Sequence, residues 1–238
     1  MKGIRVVGGL AILVAGVWAV LLGMGGFDQG ITHGMDERPM VALTFDDGLN
    51  EHYTVAVADI LERYGARGTF FIVGRPLAEQ ASLAQRLRER GHLLANHSYT
   101  HTRAMRSDVQ YNELSRTQAA FEEQLGACPR FFRPPYGTET VFTKAAVQRA
   151  GMQTVLWDVE VADWGESNPQ RLAARVLGLV HAGAIVLLHD GLDGRPGADR
   201  SVLVAALPII LDGLRARGLM AVGVDELLGA PGYLDQCG

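Results

Sequence analysis

The sequence predicts an α/β fold built on a parallel sheet, either open or closed into a barrel. Three observations carry that prediction. Short apolar runs at residues 41–45, 69–73, 154–157, 184–188 and 220–224 are the length of strands, and such runs suit strands covered on both faces. Amphipathic stretches of helical period lie between them, at 54–64, 77–90, 109–125, 140–150, 169–181 and 202–217. Gly65, Gly91, Gly126, Gly151, Gly183 and Gly218 close these stretches, where a helix end asks for a left-handed residue. Strand–helix alternation of this order means parallel pairing, because each helix returns the chain to the same edge of the sheet.

Taken in order, the first element is not part of that pattern. Residues 6–27 carry no charge and come after Lys2 and Arg5. The run matches the ~20 residues a membrane span needs, and preceding positive charge keeps the N-terminus in the cytoplasm and exports the remainder of the chain. A cleaved signal peptide competes with an uncleaved anchor; residues 23–25, Gly-Met-Gly, are a weak cleavage site and the run is long for a signal core, which favours the anchor. Residues 1–30 are therefore read as anchor or signal peptide, 31–38 as a linker, 39–229 as one catalytic-sized domain and 230–238 as a tail. Pro208 falls inside the last amphipathic stretch, so that helix should kink or start late.

Composition narrows the function classes. The 238 residues are 48% hydrophobic with a net charge of −4, enough for a full core without staples. There is no Lys/Arg block, which excludes a nucleic-acid partner held by a broad basic surface. Two cysteines, Cys128 and Cys237, are too few for a disulfide scaffold, although they are able to pair in an oxidising compartment.

The chemistry-bearing residues cluster where apolar runs end. Thr-Phe-Asp-Asp-Gly at 44–48 puts two adjacent carboxylates and a turn glycine after the first strand, the edge where α/β folds build sites. Alone it reads equally well as a solvated turn. His97 and His101 are four apart and share a face if their segment is helical, so with a carboxylate such as Asp47 they make a two-His, one-carboxylate set. Three protein ligands leave positions open for water and substrate, the pattern of a catalytic metal. His189 ends the run at 184–188, Arg133 opens an Arg-Pro-Pro-Tyr-Gly turn, and Asp163-Trp164 comes shortly after Trp157. Each has a bland reading as a loop or capping residue; five such groups at strand ends do not.

In these motifs the chain resembles the polysaccharide deacetylases with the NodB homology domain, carbohydrate esterase family 4. Residues 44–48, 97–101, 133–137, 163–164 and 187–189 match the family's five motifs in order. The resemblance implies a distorted (β/α) barrel with fewer regular strands than the eightfold form. It implies that Asp47, His97 and His101 ligate a divalent metal, usually Zn2+, with Co2+ or another ion as alternatives. Asp46 becomes the general base with Arg133 beside it, and His189 the general acid with Asp163 fixing its tautomer. The Tyr136 N–H helps stabilise the oxyanion, and Trp164 and Leu187 line a pocket for the acetyl methyl. The fourth motif commonly reads Asp-x-x-Asp-Trp, whereas this chain has Glu160 at the first position.

The expected activity is removal of N-acetyl groups from an envelope or extracellular glycan, with peptidoglycan N-acetylglucosamine ahead of chitin oligosaccharides. The rivals are a metal hydrolase of the same fold acting on O-acetyl esters or a non-sugar amide, and an inactive glycan-binding module. The expected partners are the N-acetylated glycan and a membrane, reached through residues 6–27. The expected state is a monomer, held outside the cytoplasm, or secreted if the N-terminal segment is cleaved.

Overall fold

The computed structural model describes residues 30–35, 38–102, 108–195 and 197–237. The expected span at 6–27 lies outside them; among the described residues no helix is long and apolar enough to cross a membrane.

The sheet is parallel. Its strands are β1 (Met40–Asp46), β2 (Thr69–Ile72), β3 (Leu93–Asn96), β5 (Phe131–Phe132), β6 (Gln153–Thr154), β7 (Val159–Glu160), β8 (Ile185–His189) and β9 (Met220–Val222), while β4 (Cys128–Pro129) and β10 (Tyr233–Leu234) form a separate antiparallel pair. The order across the sheet is β6-β5-β3-β2-β1-β8-β7, with β9 also paired to β1. The sheet curls into a half-barrel. Residues 31–33 lace its seam: Ile31 bridges Val155 on one side and His33 bridges Ala184 on the other. The stretch read as a linker thus starts inside the fold.

The helices are α1 (Tyr53–Arg63), α2 (Ala81–Glu89), α3 (Asn112–Leu125), α4 (Val141–Arg149), α5 (Pro169–Leu179), α6 (Ser201–Ala216) and α7 (Val224–Leu228). Two of their starts show clear local chemistry. Thr140 caps α4 through a reciprocal capping box with Thr143, and Asn168 caps α5 just before Pro169, each side-chain cap worth about 1 kcal/mol.

β1 is the axis of the molecule, and all seven of its residues are buried. Side chains alternate along a strand. Val41, Leu43 and Phe45 therefore pack outward under helices α1 and α6, among Val57, Leu61, Leu207 and Ile210. Met40 and Ala42 face inward, with Phe71, Phe131, Val155 and Ile185. Each such large side chain contributes roughly 1.5–3 kcal/mol by leaving water. The inward series continues as Thr44 and Asp46, so the same alternation that builds the core delivers a carboxylate to the mouth of the half-barrel.

Several expectations need correcting. The apolar run at 154–157 predicts a strand, and it is one only in part: β6 is Gln153–Thr154, Val155 adds a parallel bridge to Ile31, and beyond it the carbonyls of Val155 and Leu156 accept from Arg133. The stretch 77–90 is a short 3-10 turn at 75–77 followed by α2, and α6 runs through Pro208 without starting late. The tail at 230–238 is anchored, since β10 pairs with β4 and Cys237 is bonded to Cys128. That bridge closes a separation of 109 residues, which in a chain-entropy account contributes about 4–5 kcal/mol.

Candidate active site

Asp46 and Asp47 are neighbours in sequence, and in a continuous strand they would point to opposite faces. The strand ends at Asp46 and Asp47 takes a positive φ of 74°, which turns both carboxylates toward one cleft. Ser98, His101, Tyr136, Ala162 and Asp193 also have positive φ without being glycine, and all sit in the loops at this end of the sheet. Backbone strain of this kind gathers where side chains must converge. Gly191 shows how tight the convergence is: a Cβ there would lie 2.2 Å from the Asp47 carbonyl oxygen.

Arg133 is fully buried beneath Asp46. Its Nη1 donates to Asp46 Oδ1 and to Thr44 Oγ1, both at 2.7 Å, while Nε and Nη2 donate to the carbonyls of Val155 and Leu156 at 3.1 and 2.8 Å. Its guanidinium also stacks 4.0 Å above the Phe71 ring. Burial pulls the guanidinium below its ordinary pKa, and the Asp46 charge opposes that shift. Arginine nonetheless stays protonated in proteins, so Asp46 faces a permanent cation.

His97, His101 and Asp47 form the second group; one ligand atom from each lies within 4.8 Å of the others. His97 and His101 are not on a helix, as their spacing suggested. They sit in the loop after β3, where the His101 N–H donates to Ser98 Oγ at 3.1 Å and Glu113 accepts from the N–H groups of Tyr99 and Thr100. His97 Nδ1 lies 2.8 Å from the Arg133 carbonyl oxygen, which can only accept, so this nitrogen carries the proton and Nε2 faces the cleft. The Nε2 atoms of His97 and His101 stand 3.5 and 3.2 Å from Asp47 Oδ1. Among the described residues that oxygen is buried without a hydrogen-bond partner. Lone pairs of two imidazoles and a carboxylate facing one another are relieved by a cation, and this donor set fits a divalent one. Burial works to raise the Asp47 carboxyl, yet the neighbouring His97, and behind it His101 and His189, hold it well below the carboxylate range. Burial works to lower His97, yet Asp46 and Asp47 hold it above its ordinary value, and burial with the neighbouring His97 charge pushes His101 down.

His189 ends β8 directly opposite Asp46 in the sheet register. Its Nδ1 meets Asp163 Oδ1 at 2.8 Å, and its main-chain N–H donates to Asp163 Oδ2 at 2.9 Å. The carboxylate accepts only, so Nδ1 is protonated and Nε2 is presented to the cleft. Burial alone would lower the imidazole, but the Asp163 hydrogen bond and charge raise it above its ordinary value. Trp164 stands edge-on to the His189 ring at 5.0 Å and is half exposed. Leu187 is buried at the cleft floor, and the Tyr136 ring packs 4.8 Å from that of His101.

All ten residues read from the motifs thus border one cleft of about 360 Å³ or support a residue that does. Glu160, the departure from the fourth motif, accepts from Trp157 Nε1 at 3.1 Å. Sequence reasoning missed Asp193, whose Oδ1 is 2.7 Å from His101 Nδ1, and Arg200, which donates to the Gly191 carbonyl. Both lie on the loop after β8, beyond the five motifs. It also missed Asp190, a fully buried carboxyl raised to about 7 by burial and held by Thr54.

Comparison with known proteins agrees with this architecture. Residues 33–155 match the family model described as polysaccharide deacetylase. A peptidoglycan-N-acetylglucosamine deacetylase of Bacillus cereus is 37% identical over 199 residues, covering 81% of this chain and 90% of its own length. A chitooligosaccharide deacetylase of a Bradyrhizobium strain is 36% identical over 189 residues, covering 75% and 85%. The peptidoglycan-N-acetylglucosamine deacetylase PgdA of Listeria monocytogenes is 34% identical over 79% of this chain, which spans only 39% of that protein's length. Among solved structures, the Bc1960 peptidoglycan N-acetylglucosamine deacetylase superposes with a TM-score of 0.80 at 26% identity, covering 86% of this chain and 94% of that one. BA3943 of Bacillus anthracis, a pseudoenzyme of carbohydrate esterase family 4, superposes at 0.73 with 27% identity over 83% and 68%. By its half-barrel, its matched residues and these relatives, the chain belongs to the polysaccharide deacetylase family.

Proposed function

We propose that this chain is a divalent-metal-dependent hydrolase that removes N-acetyl groups from the amino sugars of an envelope glycan, with peptidoglycan N-acetylglucosamine as the favoured substrate and chitin oligosaccharides next. The observation that carries this reading is the pairing of two oppositely set dyads, Asp46–Arg133 and His189–Asp163, around one Asp47–His97–His101 triad. A family that includes a pseudoenzyme makes that completeness the relevant criterion.

Asp47, His97 and His101 would hold the ion, which we take to be Zn2+. Such an ion supplies Lewis acidity and lowers the pKa of water bound to it, toward ~7 in favourable sites. Asp46, held beside Arg133, would accept a proton from the attacking water as the oxygen of that water adds to the acetamide carbonyl. The Tyr136 main-chain N–H hydrogen-bonds the developing oxyanion, an interaction worth roughly 2.7–4 kcal/mol for one donor in a protease. His189, protonated on Nε2, passes that proton to the departing nitrogen. The C–N bond breaks, leaving acetate and a free amino sugar. Trp164 and Leu187 border the space for the acetyl methyl.

We further infer that the catalytic domain works outside the cytoplasm, anchored through residues 6–27. The Cys128–Cys237 disulfide supports this, since such bonds persist in oxidising compartments.

The test is acetate release from peptidoglycan, chitin oligomers and acetylated xylan, each with and without a chelator. Chelator-sensitive release from the first two is expected. Release from acetylated xylan alone would make the chain an O-acetyl esterase, and no release from any of them would return it to the glycan-binding modules.

A further inference from the structure

The two imidazoles of the triad are held in different ways. His97 Nδ1 is fixed by a main-chain carbonyl, which no side-chain substitution removes. His101 Nδ1 faces a side chain, the Asp193 carboxylate, at 2.7 Å. This contact is an ion-pair approach rather than a straight N–H···O bond, and among the described residues no hydrogen bond satisfies His101 Nδ1. Asp193 is placed by the same turn that carries the triad's carboxylate: the next residue, Gly194, donates its N–H to the Asp47 carbonyl at 3.2 Å. Arg200 braces the loop from the other end through the Gly191 carbonyl. Asp193 itself takes a φ of 49°, a conformation that costs a non-glycine residue free energy. Its side chain keeps 28% of its exposure, so the charge retains water and costs little to place.

Metal-ligating histidines usually give their second nitrogen to a carboxylate or carbonyl, which fixes the tautomer and raises ligand basicity. We propose that Asp193 is a positioning residue for His101, holding the proton on Nδ1 so that Nε2 faces the ion beside Asp47. The proposal rests on the metal reading above. It makes the loop after β8 part of the metal site, although no motif marks it.

The test measures zinc affinity, by competition with a chromophoric chelator, on wild-type protein and on Asp193→Ala, Asp193→Gly and Asp193→Asn. Glycine relieves the left-handed backbone while deleting the carboxylate, and asparagine keeps an acceptor without the charge. Alanine and glycine are expected to weaken zinc binding by about 10- to 100-fold, the usual cost of losing such a partner, with asparagine recovering part of the loss. Thermal midpoints of the chelator-treated forms separate folding from binding: Asp193→Gly and Asp193→Asn should match or exceed wild type, and Asp193→Ala should fall slightly below it. Wild-type affinity in Asp193→Gly would show that the residue serves only the backbone and overturn the proposal, as would unchanged affinity in all three. A wild-type protein that fails to bind zinc overturns the metal reading itself, and the positioning role with it.

Discussion

Asp46 and His189 stand opposite one another at the ends of β1 and β8, yet the buried groups they rest on carry opposite charges. Asp46 sits on a buried arginine that makes no other ion pair among the described residues, and whose remaining donors all go to neutral oxygens. That guanidinium is a permanent cation. His189 sits on a carboxylate that also accepts its main-chain N–H, and an anion there favours the cation. The sheet supplies the same backbone to both. The sign of the buried partner distinguishes the two, and neither partner comes from β1 or β8. The proposed roles of Asp46 as base and His189 as acid rest on this asymmetry.

The sharpest way to break this contrast is Asp46→Asn. The amide keeps the shape and leaves the triad in place, so zinc binding should survive while turnover falls by about 10²- to 10⁴-fold. Zinc content and acetate release measured on one preparation decide it. Wild-type activity in this variant would remove Asp46 from the base role. His97→Ala should lose the metal as well as the activity, which separates a ligand from a base.

Arg133→Met probes the other half of the same dyad. Removing one member of a buried ion pair strands the other and costs about 3–5 kcal/mol. Denaturant unfolding near neutral pH should show that loss. Because the carbonyls of Val155 and Leu156 also lose their donor, the double variant with Asp46→Asn should recover only part of it.

His189→Ala should cost about 10²-fold on an N-acetyl sugar oligomer, since an amide nitrogen needs a proton to leave. An aryl acetate carries a leaving group that departs unaided, so its hydrolysis should fall far less. Equal losses on the two substrates would say that His189 acts otherwise than as an acid. Asp163→Asn is a milder version. The raised imidazole keeps its proton to higher pH in the wild type. Without the carboxylate its pKa drops, so the alkaline limb of the kcat/KM profile should move to lower pH.

The contrast also explains what is legible in the sequence. The fold class is legible because parallel strands buried on both faces leave unbroken apolar runs, as at 184–188, and because glycine marks helix ends. The ten residues that border or support the cleft are legible because they lie in short motifs at strand ends. What is hidden depends on contacts between distant segments. The run at 154–157 has the composition of a strand, but its carbonyls serve Arg133, a residue more than twenty positions earlier. The spacing of His97 and His101 leaves a helix open, but Ser98 and His101 both take positive φ in a loop stitched by Glu113, which no local pattern announces. Asp193 is invisible for the same reason: its partner, His101, is ninety-two positions away, and its loop carries no apolar run to mark its place.

The smallest expected effect concerns Glu160, the one departure from the matched motifs. If this position fed the acid dyad, the longer side chain would disturb His189. In the structure its carboxylate accepts instead from Trp157 Nε1, and Asp163 alone meets His189. The indole lies near the guanidinium of Arg133 and backs the turn at Gly137, so Glu160 braces the wall on the base side of the cleft. Glu160→Ala therefore removes one neutral donor's partner at an exposed rim, a loss of about 0.5–1.5 kcal/mol. That corresponds to a decrease in kcat/KM of no more than about tenfold. The alkaline limb set by His189 should stay where it is, in contrast to Asp163→Asn. A pH–rate profile of Glu160→Ala that moved with that of Asp163→Asn would join Glu160 to the acid dyad and redraw the boundary between the two halves of the site.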